Sequence, residues 1–376
     1  MKILLTGGGT GGHFYPIIAI AEEIKNVAKD RKLLAPVLYY MAPTPYNARS
    51  LFEADIIFKP ILAGKVRRYF SILNGFDFFK TGFGVLGALW TLYWIYPDVV
   101  FGKGGYVSFP GVLAARILGI PVVIHESDSH PGKVNLWAGK FAKRIALSYP
   151  EAATYFPEGK TAVTGNPIRP ELLHPIVSGA AEYLDLEKSI PTIIILGGSQ
   201  GSKNINEALL DALPELVKKY QIIHQTGKAN YAEVKQTADI ILEGSSYKNR
   251  YKPFDYLNTL AMRMAYGAAS LVVSRGGSTL FEIAIAGIPS IIIPIPESVS
   301  HDQLTNAFSY ARTGAAVVIE ENNLTTEILL SEMEKILTNP ALQTKMKEGA
   351  KTFGRPDAAR KIAEQIVDIA LTHETQ

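Results

Sequence analysis

Short apolar runs that end in glycine or a polar residue recur along the chain and alternate with segments of helical spacing. The first run, Lys2–Thr6, enters a glycine-rich stretch, and Pro16–Ala28 then repeats apolar residues every three or four positions. A buried strand, a glycine turn and an amphipathic helix form the usual opening of a doubly wound α/β domain. A further helix is expected over Pro110–Leu118. The other strand-like runs of this half are Val37–Tyr40, Ile56–Phe58, Val99–Phe101, Val122–Ile124 and Ile145–Leu147.

The same order of elements begins again near the middle of the chain. Thr192–Leu196 is a second apolar run that enters the glycines of Gly197–Gly201, and a helical pattern covers Asn204–Leu216. Two prolines within Asn166–Pro170 prevent a continuous helix, so the sequence predicts two α/β halves joined there, with a connector reaching Ser189. The last 30 residues read as helix, interrupted at Gly354–Pro356. The remaining strand-like runs are Gln221–His224, Leu271–Ser274, Ser290–Ile293 and Ala316–Ile319.

Composition supports two folded domains and excludes several classes of protein. The 376 residues are 47% apolar and 19% charged, which is unlike a disordered chain and long enough for two cores. The sequence contains no cysteine. It therefore cannot form a disulfide scaffold, a thiolate zinc site or a cysteine nucleophile, and a reducing compartment is expected.

Charge is divided unevenly between the halves. Residues 1–168 carry 18 Lys and Arg against 11 Asp and Glu, whereas residues 169–376 carry 20 against 24. The basic half could meet an anionic lipid, a phosphate-bearing substrate or a nucleic acid, or its charges could only solvate the surface. No signal peptide and no membrane span is expected, because the nearest apolar run, Gly82–Tyr96, contains glycines and Thr91. These features predict a cytoplasmic protein that is soluble or peripherally bound to a membrane.

The first glycine loop, Gly7–Gly12, formally satisfies the dinucleotide fingerprint G-x-G-x-x-G. That fingerprint also needs an acidic residue where the second strand ends, to bind the ribose diol. Here the second strand ends at Tyr40-Met41-Ala42, which disfavours NAD or FAD. A P-loop is excluded, because no glycine loop is followed by Gly-Lys and then Ser or Thr.

Five glycines within six positions favour phosphate binding over a tight turn alone, because backbone N–H groups can converge on an anion at a helix N-terminus. The second glycine loop, Gly197–Gly201, suggests a second phosphate-bearing ligand, the two facing each other across a cleft. His13 ends the first loop. A helix N-terminus disfavours the imidazolium form, so His13 is either a general base or a structural histidine.

A third glycine turn follows the predicted strand Leu271–Ser274. Arg275, at its start, suits a phosphate, and Glu282, in the next helix, suits a ribose diol. Alternatively, Arg275 pairs with Glu282 and either Ser278 or Thr279 caps the helix. Farther along, His301-Asp302-Gln303 and Asn306 have the paired donors and acceptors that suit sugar hydroxyls.

The segment Lys65–Trp94 combines cations at its start with many aromatic and aliphatic residues. Such a mixture favours either a membrane-interface patch or an ordinary core helix. Single-stranded nucleic acid also contacts aromatic and basic side chains, but no nucleic-acid motif accompanies the segment, so a nucleic-acid partner is not expected.

Six collinear motifs together resemble glycosyltransferase family 28, the MurG-type N-acetylglucosaminyltransferases of peptidoglycan synthesis. They span residues 7 to about 307, and each is weak alone. The motifs are Gly8–His13, Gly104–Ser108, Ile120–Glu126, Thr164–Arg169, Gly197–Gly201 and Asp302–Ala307.

The resemblance implies a GT-B fold with two Rossmann-like domains facing a central cleft. The N-terminal acceptor and membrane-side domain would comprise 1–168 plus a returning C-terminal helix, about 350–376, and the donor domain would comprise 169–349. The implied reaction transfers GlcNAc from UDP-GlcNAc, with inversion, to the MurNAc 4-hydroxyl of lipid I, giving lipid II. It needs no metal or other cofactor. The implied location is the cytoplasmic face of the bacterial membrane, with its anionic inner leaflet, and the implied role is cell-wall biogenesis, hence cell shape and division.

The resemblance also assigns site residues by position. His13 matches the proposed general base, and Glu126 is placed beside it as a catalytic candidate. The acceptor-side candidates are Thr10, Gly11, Gly12, Tyr106 and Asp128. The donor-side candidates are Arg169, Ser199 and Gln200 near the phosphates, Arg275, Glu282 on the ribose, Gln303 on the GlcNAc hydroxyls and Phe254 on uracil.

Three departures from the family pattern keep alternatives open. Asp128 stands where the family has Asn after His-Glu-Gln, Arg275 lies seven rather than eight positions before Glu282, and the region around Phe254 is longer. A family member with a diacylglycerol acceptor, a UDP-GlcNAc 2-epimerase and a dinucleotide-dependent oxidoreductase are therefore the alternative functions. Contacts with cell-wall or division proteins fit the family, although no residue here indicates them.

Overall fold

A computed structural model of the chain divides into two compact units. Unit 1 comprises Met1–Arg169 and Arg355–Gln376, and unit 2 comprises Pro170–Gly354. The structure describes residues 1–64, 73–198, 201–299 and 301–374. The sequence places the first boundary after residue 168 and the return of the chain at about 350, close to these two divisions.

Unit 1 is built on a seven-stranded parallel sheet with the strand order β3-β2-β1-β4-β5-β6-β7. Its strands are β1 (Lys2–Thr6), β2 (Val37–Ala42), β3 (Ile56–Pro60), β4 (Val99–Gly102), β5 (Val122–Glu126), β6 (Arg144–Leu147) and β7 (Thr161–Val163). Its first five helices are α1 (Gly11–Asp30), α2 (Ala48–Glu53), α3 (Leu73–Ile95), α4 (Gly105–Ile117) and α5 (Lys133–Gly139).

Unit 2 repeats the arrangement with a six-stranded parallel sheet of order β10-β9-β8-β11-β12-β13. Its strands are β8 (Thr192–Leu196), β9 (Gln221–Gln225), β10 (Tyr251–Phe254), β11 (Ala269–Ser274), β12 (Ser290–Ile292) and β13 (Ala316–Val318). Its helices are α6 (Ala180–Tyr183), α7 (Lys203–Lys219), α8 (Tyr231–Ile241), α9 (Thr259–Ala268), α10 (Thr279–Ala286), α11 (His301–Ala311), α12 (Thr326–Leu337) and α13 (Pro340–Phe353).

Both sheets are buried on their two faces. Every residue of β4 and β8 is buried, as expected for central parallel strands covered by helices. The last helix, α14 (Ala358–Glu374), returns to unit 1. Its Ile362, Ile366 and Val367 enter the same core cluster as Ile17 and Ile20 of α1. The predicted α/β class, with two doubly wound Rossmann-like domains, is confirmed.

Strand order reverses once in each sheet, between β1 and β4 in unit 1 and between β8 and β11 in unit 2. In open α/β sheets the crevice at the carboxyl ends of such strands is where ligands bind. The first glycine loop follows β1, and Lys103-Gly104-Gly105 follows β4. The second glycine loop follows β8, and Arg275-Gly276-Gly277 follows β11. Each reversal is therefore lined by two glycine-containing turns.

The elements differ from the sequence prediction mainly at edges and ends. The strands β7 and β10, which the apolar pattern does not predict, are edge strands, and β10 contains Lys252 and Pro253. An edge strand buries less surface and tolerates proline, so its sequence signal is weak. Helix α1 begins at Gly11 rather than Pro16. The last two glycines of the first loop therefore form the first turn of the helix.

Candidate active site

The first glycine loop has a backbone that only glycine adopts readily. Gly7, Gly8 and Gly9 have φ of 141°, 130° and 89°. The Tyr40 hydroxyl donates to the Gly7 carbonyl at 2.7 Å, and a Cβ added to Gly8 would lie 2.5 Å from that hydroxyl oxygen. Space and conformation thus both require glycine where the chain leaves β1.

His13 occupies the first turn of α1, beside the turn that follows β4. A Cβ added to Gly105 would lie 3.3 Å from His13 Nδ1. Burial, and then the positive charge of Lys103, lower the pKa of His13 to about 4. Interaction with the Gly8 backbone partly opposes this lowering, and the Nδ1 atom is enclosed by protein. The structure thus presents a neutral, enclosed imidazole at the reversal of strand order.

The other acceptor-side candidates lie at the start of α1 or against the first glycine loop. Thr10 caps α1 in an extended conformation, and Gly11 and Gly12 are the first two helical residues. The Tyr106 ring lies 3.8 Å from the position of a Cβ on Gly9. Thr10, Gly11, Gly12 and Tyr106 therefore come together with His13, whereas their contact with an acceptor stays a prediction.

Glu126, the last residue of β5, organises the turn that follows it. Its Oε1 accepts from the backbone N–H of Ser127 at 2.7 Å and of Asp128 at 3.0 Å. Its Oε2 accepts from Gly132 N at 3.1 Å and from Asn135 Nδ2 at 2.9 Å. A carboxylate has about four lone-pair sites, and protein donors occupy all of them. A catalytic role for Glu126 stays a prediction, and the geometry favours an organising one.

Two buried polar residues of this site were missed by the sequence interpretation. Lys103, directly after β4, is 1% exposed, and Asn135, on α5, is 3% exposed. Asn135 also donates to the His125 carbonyl at 3.0 Å. Lys103 could have been found from its position in the sequence, because a lone cation directly after a buried strand lies at the ligand-binding edge of the sheet.

Arg169 is the last residue of the first segment of unit 1, whereas the other donor-side candidates belong to unit 2. Its guanidinium stacks over the Tyr15 ring, 4.3 Å from the centroid. Tyr15 and Tyr46 pack edge to face at 6.1 Å. Arg169 thus meets an aromatic cluster beside α1, and its role near the donor phosphates stays a prediction.

The second glycine loop is tied to the end of the neighbouring strand. Ser199 and Gln200, the two donor-side candidates in this loop, lie outside the described residues. Gly198 has φ of 88°, and its carbonyl accepts from Gln225 Nε2 at 3.3 Å. Gln225 Oε1 accepts from the Leu257 N–H at 2.9 Å. The buried Gln225 amide, which the sequence interpretation missed, therefore links this loop to the segment after β10.

Arg275 pairs with a residue other than the one considered from sequence. Its guanidinium forms an ion pair with Glu321, donates to the Ile293 carbonyl at 3.0 Å, and donates to the Ser202 hydroxyl. The alternative pairing of Arg275 with Glu282 is wrong, because Glu321, after β13, lies on the guanidinium instead. The Ser278 side chain makes no capping hydrogen bond. Arg275 thus joins the carboxyl ends of three strands to the start of α7.

Glu282 and Gln303 lie on the helices beside the third glycine turn. Glu282 Oε2 accepts from the Tyr266 hydroxyl at 3.0 Å. Gln303 Oε1 accepts from the Ile295 N–H at 3.3 Å, and a Cβ on Gly276 would lie 2.4 Å from the Gln303 carbonyl oxygen. Both side chains are half-buried. Their contacts with ribose and GlcNAc stay predictions.

Phe254 ends the edge strand β10, next to Gln225 in the sheet register. Its carbonyl accepts from the Thr226 N–H at 2.9 Å, and its ring is half-buried. The structure thus places Phe254 at the carboxyl edge of the sheet of unit 2. Its contact with uracil stays a prediction.

No group of three His, Asp or Glu side chains is arranged to hold a metal ion among the residues that the structure describes. Across those same residues, no helix is both long and apolar enough to span a bilayer.

Comparisons with known proteins agree with this architecture. The glycosyltransferase family 28 N-terminal domain model matches residues 3–147, and the corresponding C-terminal domain model matches residues 192–362. The UDP-N-acetylglucosamine–N-acetylmuramyl-(pentapeptide) pyrophosphoryl-undecaprenol N-acetylglucosamine transferase of Halothermothrix orenii is 38% identical over 98% of this chain and 99% of its own.

Solved structures show the same two-domain fold. The crystal structure of MurG from Acinetobacter baumannii superposes with a TM-score of 0.74 at 28% identity, covering 98% of this chain and 99% of that one. A UDP-GlcNAc 2-epimerase from Neisseria meningitidis, bound to UDP-GlcNAc, has a TM-score of 0.68 at 15% identity over 98% of this chain and all of that one. The second likeness concerns the fold alone. Both family 28 domain models match the chain, and a relative of nearly equal length is 38% identical to it. The chain therefore belongs to glycosyltransferase family 28.

Proposed function

We propose that this enzyme transfers GlcNAc from UDP-GlcNAc to the MurNAc 4-hydroxyl of undecaprenyl-diphosphoryl-MurNAc-pentapeptide, lipid I, and forms lipid II with inversion. The observation that carries the proposal is the 38% identity to the transferase of Halothermothrix orenii over nearly the whole of both chains. The six family motifs are distributed over both units, so the resemblance includes both strand-order reversals.

In unit 1, the first glycine loop would bind the acceptor diphosphate. The positive end of α1 and the backbone N–H groups of the loop favour an anion there. The neutral imidazole of His13 would accept the proton of the MurNAc 4-hydroxyl as its oxygen attacks the anomeric carbon of the donor. Glu126 would hold the loop after β5, where Asp128 lies, in the shape that receives the acceptor.

In unit 2, the residues at the reversal between β8 and β11 would bind the donor. Glu282, oriented by Tyr266, would accept hydrogen bonds from the ribose diol, and Gln303 would contact the GlcNAc hydroxyls. Arg275 would act by fixing the start of α7 through Ser202. As the bond between the anomeric carbon and the β-phosphate oxygen breaks, the leaving UDP gains negative charge, which backbone N–H groups at α7 would stabilise.

We also propose that the reaction requires no bound metal. Oriented N–H donors and helix N-termini can stabilise a leaving diphosphate without one. The proposal is open to direct test, because chelation of divalent cations would leave turnover unchanged.

The decisive experiment is turnover of UDP-GlcNAc with a short-chain lipid I analogue, with and without EDTA, followed by mass spectrometry. Addition of one N-acetylhexosamine to the analogue, unaffected by EDTA, is the expected result. Transfer to diacylglycerol instead of the analogue would favour the alternative family activity. Conversion of UDP-GlcNAc without any acceptor would identify an epimerase. His13→Ala is the site control, and His174→Ala, at an exposed histidine of unit 2, is its matched variant.

We further propose that the enzyme binds the cytoplasmic membrane surface through α3. One side of α3 packs on unit 1 through Ala88 and Leu92, which are fully buried. The other side exposes a stripe of large apolar side chains at helical spacing, each 63–76% exposed. These residues, the α3 stripe, are Phe78, Phe79, Phe83, Leu86, Trp90, Tyr93 and Trp94.

A continuous apolar face on one helix is more than the scattered exposed residues of an ordinary surface. Tryptophan and tyrosine prefer the headgroup region of a bilayer, and unit 1 contains the basic half of the chain. A substrate with an undecaprenyl chain also lies in a membrane. The cations predicted for the same patch, Lys65–Arg68, lie outside the described residues.

A further inference from the structure

Lys103 is a buried cation that the mechanism above does not use. Its side chain is 1% exposed, and its Nζ donates to Ser127 Oγ and to Asn166 Oδ1, the latter at 3.4 Å. Lysine is almost never buried this completely unless its charge is paired, because desolvating an ammonium is costly. Burying this charge beside the acceptor-side loop therefore has a considerable desolvation cost, which the surrounding groups must offset.

The stem of Lys103 forms the floor of the first glycine loop. Its backbone N–H donates to the Thr6 carbonyl at 2.8 Å, at the point where β1 ends. A Cβ added to Gly7 would lie 2.7 Å from the Cβ of Lys103. The loop therefore rests directly on the lysine, and a shift of the lysine would shift the backbone N–H groups above it.

The charges that face Lys103 come from two elements. Burial lowers the pKa of Lys103, whereas the carboxylates of Glu126 and Asp128 raise it again. Lys103 also contributes, after burial, to the lowered pKa values of His13 and His125. The ammonium therefore interacts electrostatically with the carboxyl groups of Glu126 and Asp128 and with two imidazoles that remain neutral.

Two of these neighbours, Ser127 and Asp128, belong to the turn that follows β5. Ser127 accepts the hydrogen bond of the ammonium, and Asp128 supplies one of the two facing carboxylates. We propose that Lys103, Ser127 and Asp128 act as one set, in which the buried ammonium balances the Asp128 carboxylate and positions the first glycine loop for the acceptor diphosphate. Lys103 is accordingly a positioning residue, and its acceptor role rests on the proposed function.

A double-mutant cycle separates the charge of Lys103 from its shape. Lys103→Met preserves most of the volume but removes the positive charge that faces Glu126 and Asp128. We expect it to raise the KM for the lipid I analogue about tenfold while the KM for UDP-GlcNAc changes less than about twofold. Adding Asp128→Asn should restore the acceptor KM to within about threefold of the original.

The pH profile gives a readout that a purely structural lysine would not move. His13 must be neutral to accept a proton, and Lys103 helps to keep its pKa low. Lys103→Met should therefore shift the acid limb of kcat/KM to higher pH. Lys143→Met, which removes an equal charge from an exposed lysine of unit 1, should leave both the acceptor KM and the acid limb unchanged.

Thermal unfolding of the four proteins of the cycle, which are the wild type, Lys103→Met, Asp128→Asn and the double variant, tests the pairing without any substrate. Lys103→Met should lower Tm, and the double variant should recover most of the loss. The proposal would be overturned if the effects of Lys103→Met and Asp128→Asn on Tm and on the acceptor KM were simply additive. If Lys103→Met is insoluble, the milder variant Ser127→Ala tests the same proposal. An unchanged acceptor KM in that variant would exclude the positioning role of Lys103. If the wild-type protein transfers nothing to lipid I, the proposed function is refuted. The Tm cycle would still test whether Lys103 and Asp128 stabilise each other.

Discussion

Arg275 and Glu321 form an ion pair in unit 2, with side chains only 12% and 11% exposed. Glu321 also accepts from Asn204 Nδ2 at 2.5 Å, so one carboxylate holds both Arg275 and the first turn of α7. A residue after β13 thereby holds the start of α7, which follows the second glycine loop, although the two segments are far apart in sequence.

Removal of Glu321 should destabilise the protein and weaken donor binding. Glu321→Ala leaves the Arg275 guanidinium without its counter-charge in a nearly buried place, which typically costs about 3 kcal/mol. Urea unfolding would measure the loss, and the KM for UDP-GlcNAc should rise. Glu320→Ala, at the exposed neighbouring position, should change neither. Equal behaviour of the two variants would mean that the ion pair contributes no net stability.

His13→Ala should reduce kcat by about 10²- to 10⁴-fold, the usual contribution of a general base, and leave UDP binding nearly unchanged. In the unaltered enzyme the neutral form of His13 prevails above its pKa of about 4, so the acid limb of kcat/KM should lie near that value. Steady-state kinetics between pH 4 and 8 and a UDP titration would test both parts. Retained turnover would remove His13 as the base.

Tyr266→Phe should raise the KM for UDP-GlcNAc about three- to tenfold. The variant removes one hydrogen bond to the Glu282 carboxylate, and such bonds contribute about 1.5 kcal/mol or somewhat more. The effect on kcat should be small, because Glu282 is proposed to contact the ribose rather than the reacting atoms. Tyr183→Phe, at an exposed tyrosine of the same unit, serves as the control. A donor KM that does not change in Tyr266→Phe would place the ribose contact elsewhere.

The α3 stripe should be required for membrane binding and not for folding. Phe83→Ser with Trp90→Ser should decrease sedimentation with phosphatidylglycerol-containing vesicles by more than about tenfold, since each aromatic contributes about 1.5–3 kcal/mol when buried. Phe52→Ser with Leu34→Ser removes two side chains that are 84% and 89% exposed but lie off the stripe. That control should bind normally. Equal binding of both double variants would show that α3 is not the contact surface.

The sequence was sufficient for the order of elements and for the two glycine loops, because buried parallel strands and glycine turns leave strong local signals. The edge strand β10 left a weak signal, since it is only partly buried and contains proline. The partners of Arg275 and Lys103 could not be predicted, because Glu321 and Ser127 are brought to them by the topology of the sheets. Charged residues directly after strands indicate a ligand-binding site in the sequence. Which of these residues pair with one another depends on the order of the strands in the sheet.

The position of α14 has a consequence for synthesis on the ribosome. Residues 1–169 are translated before unit 2, yet the apolar face of α1, with Ile17 and Ile20, is covered by α14, which follows unit 2 in the chain. All of unit 2 is made before that face can be covered. The nascent chain should therefore hold an incomplete first core while unit 2 is synthesised, and holding chaperones should bind it until α14 leaves the exit tunnel.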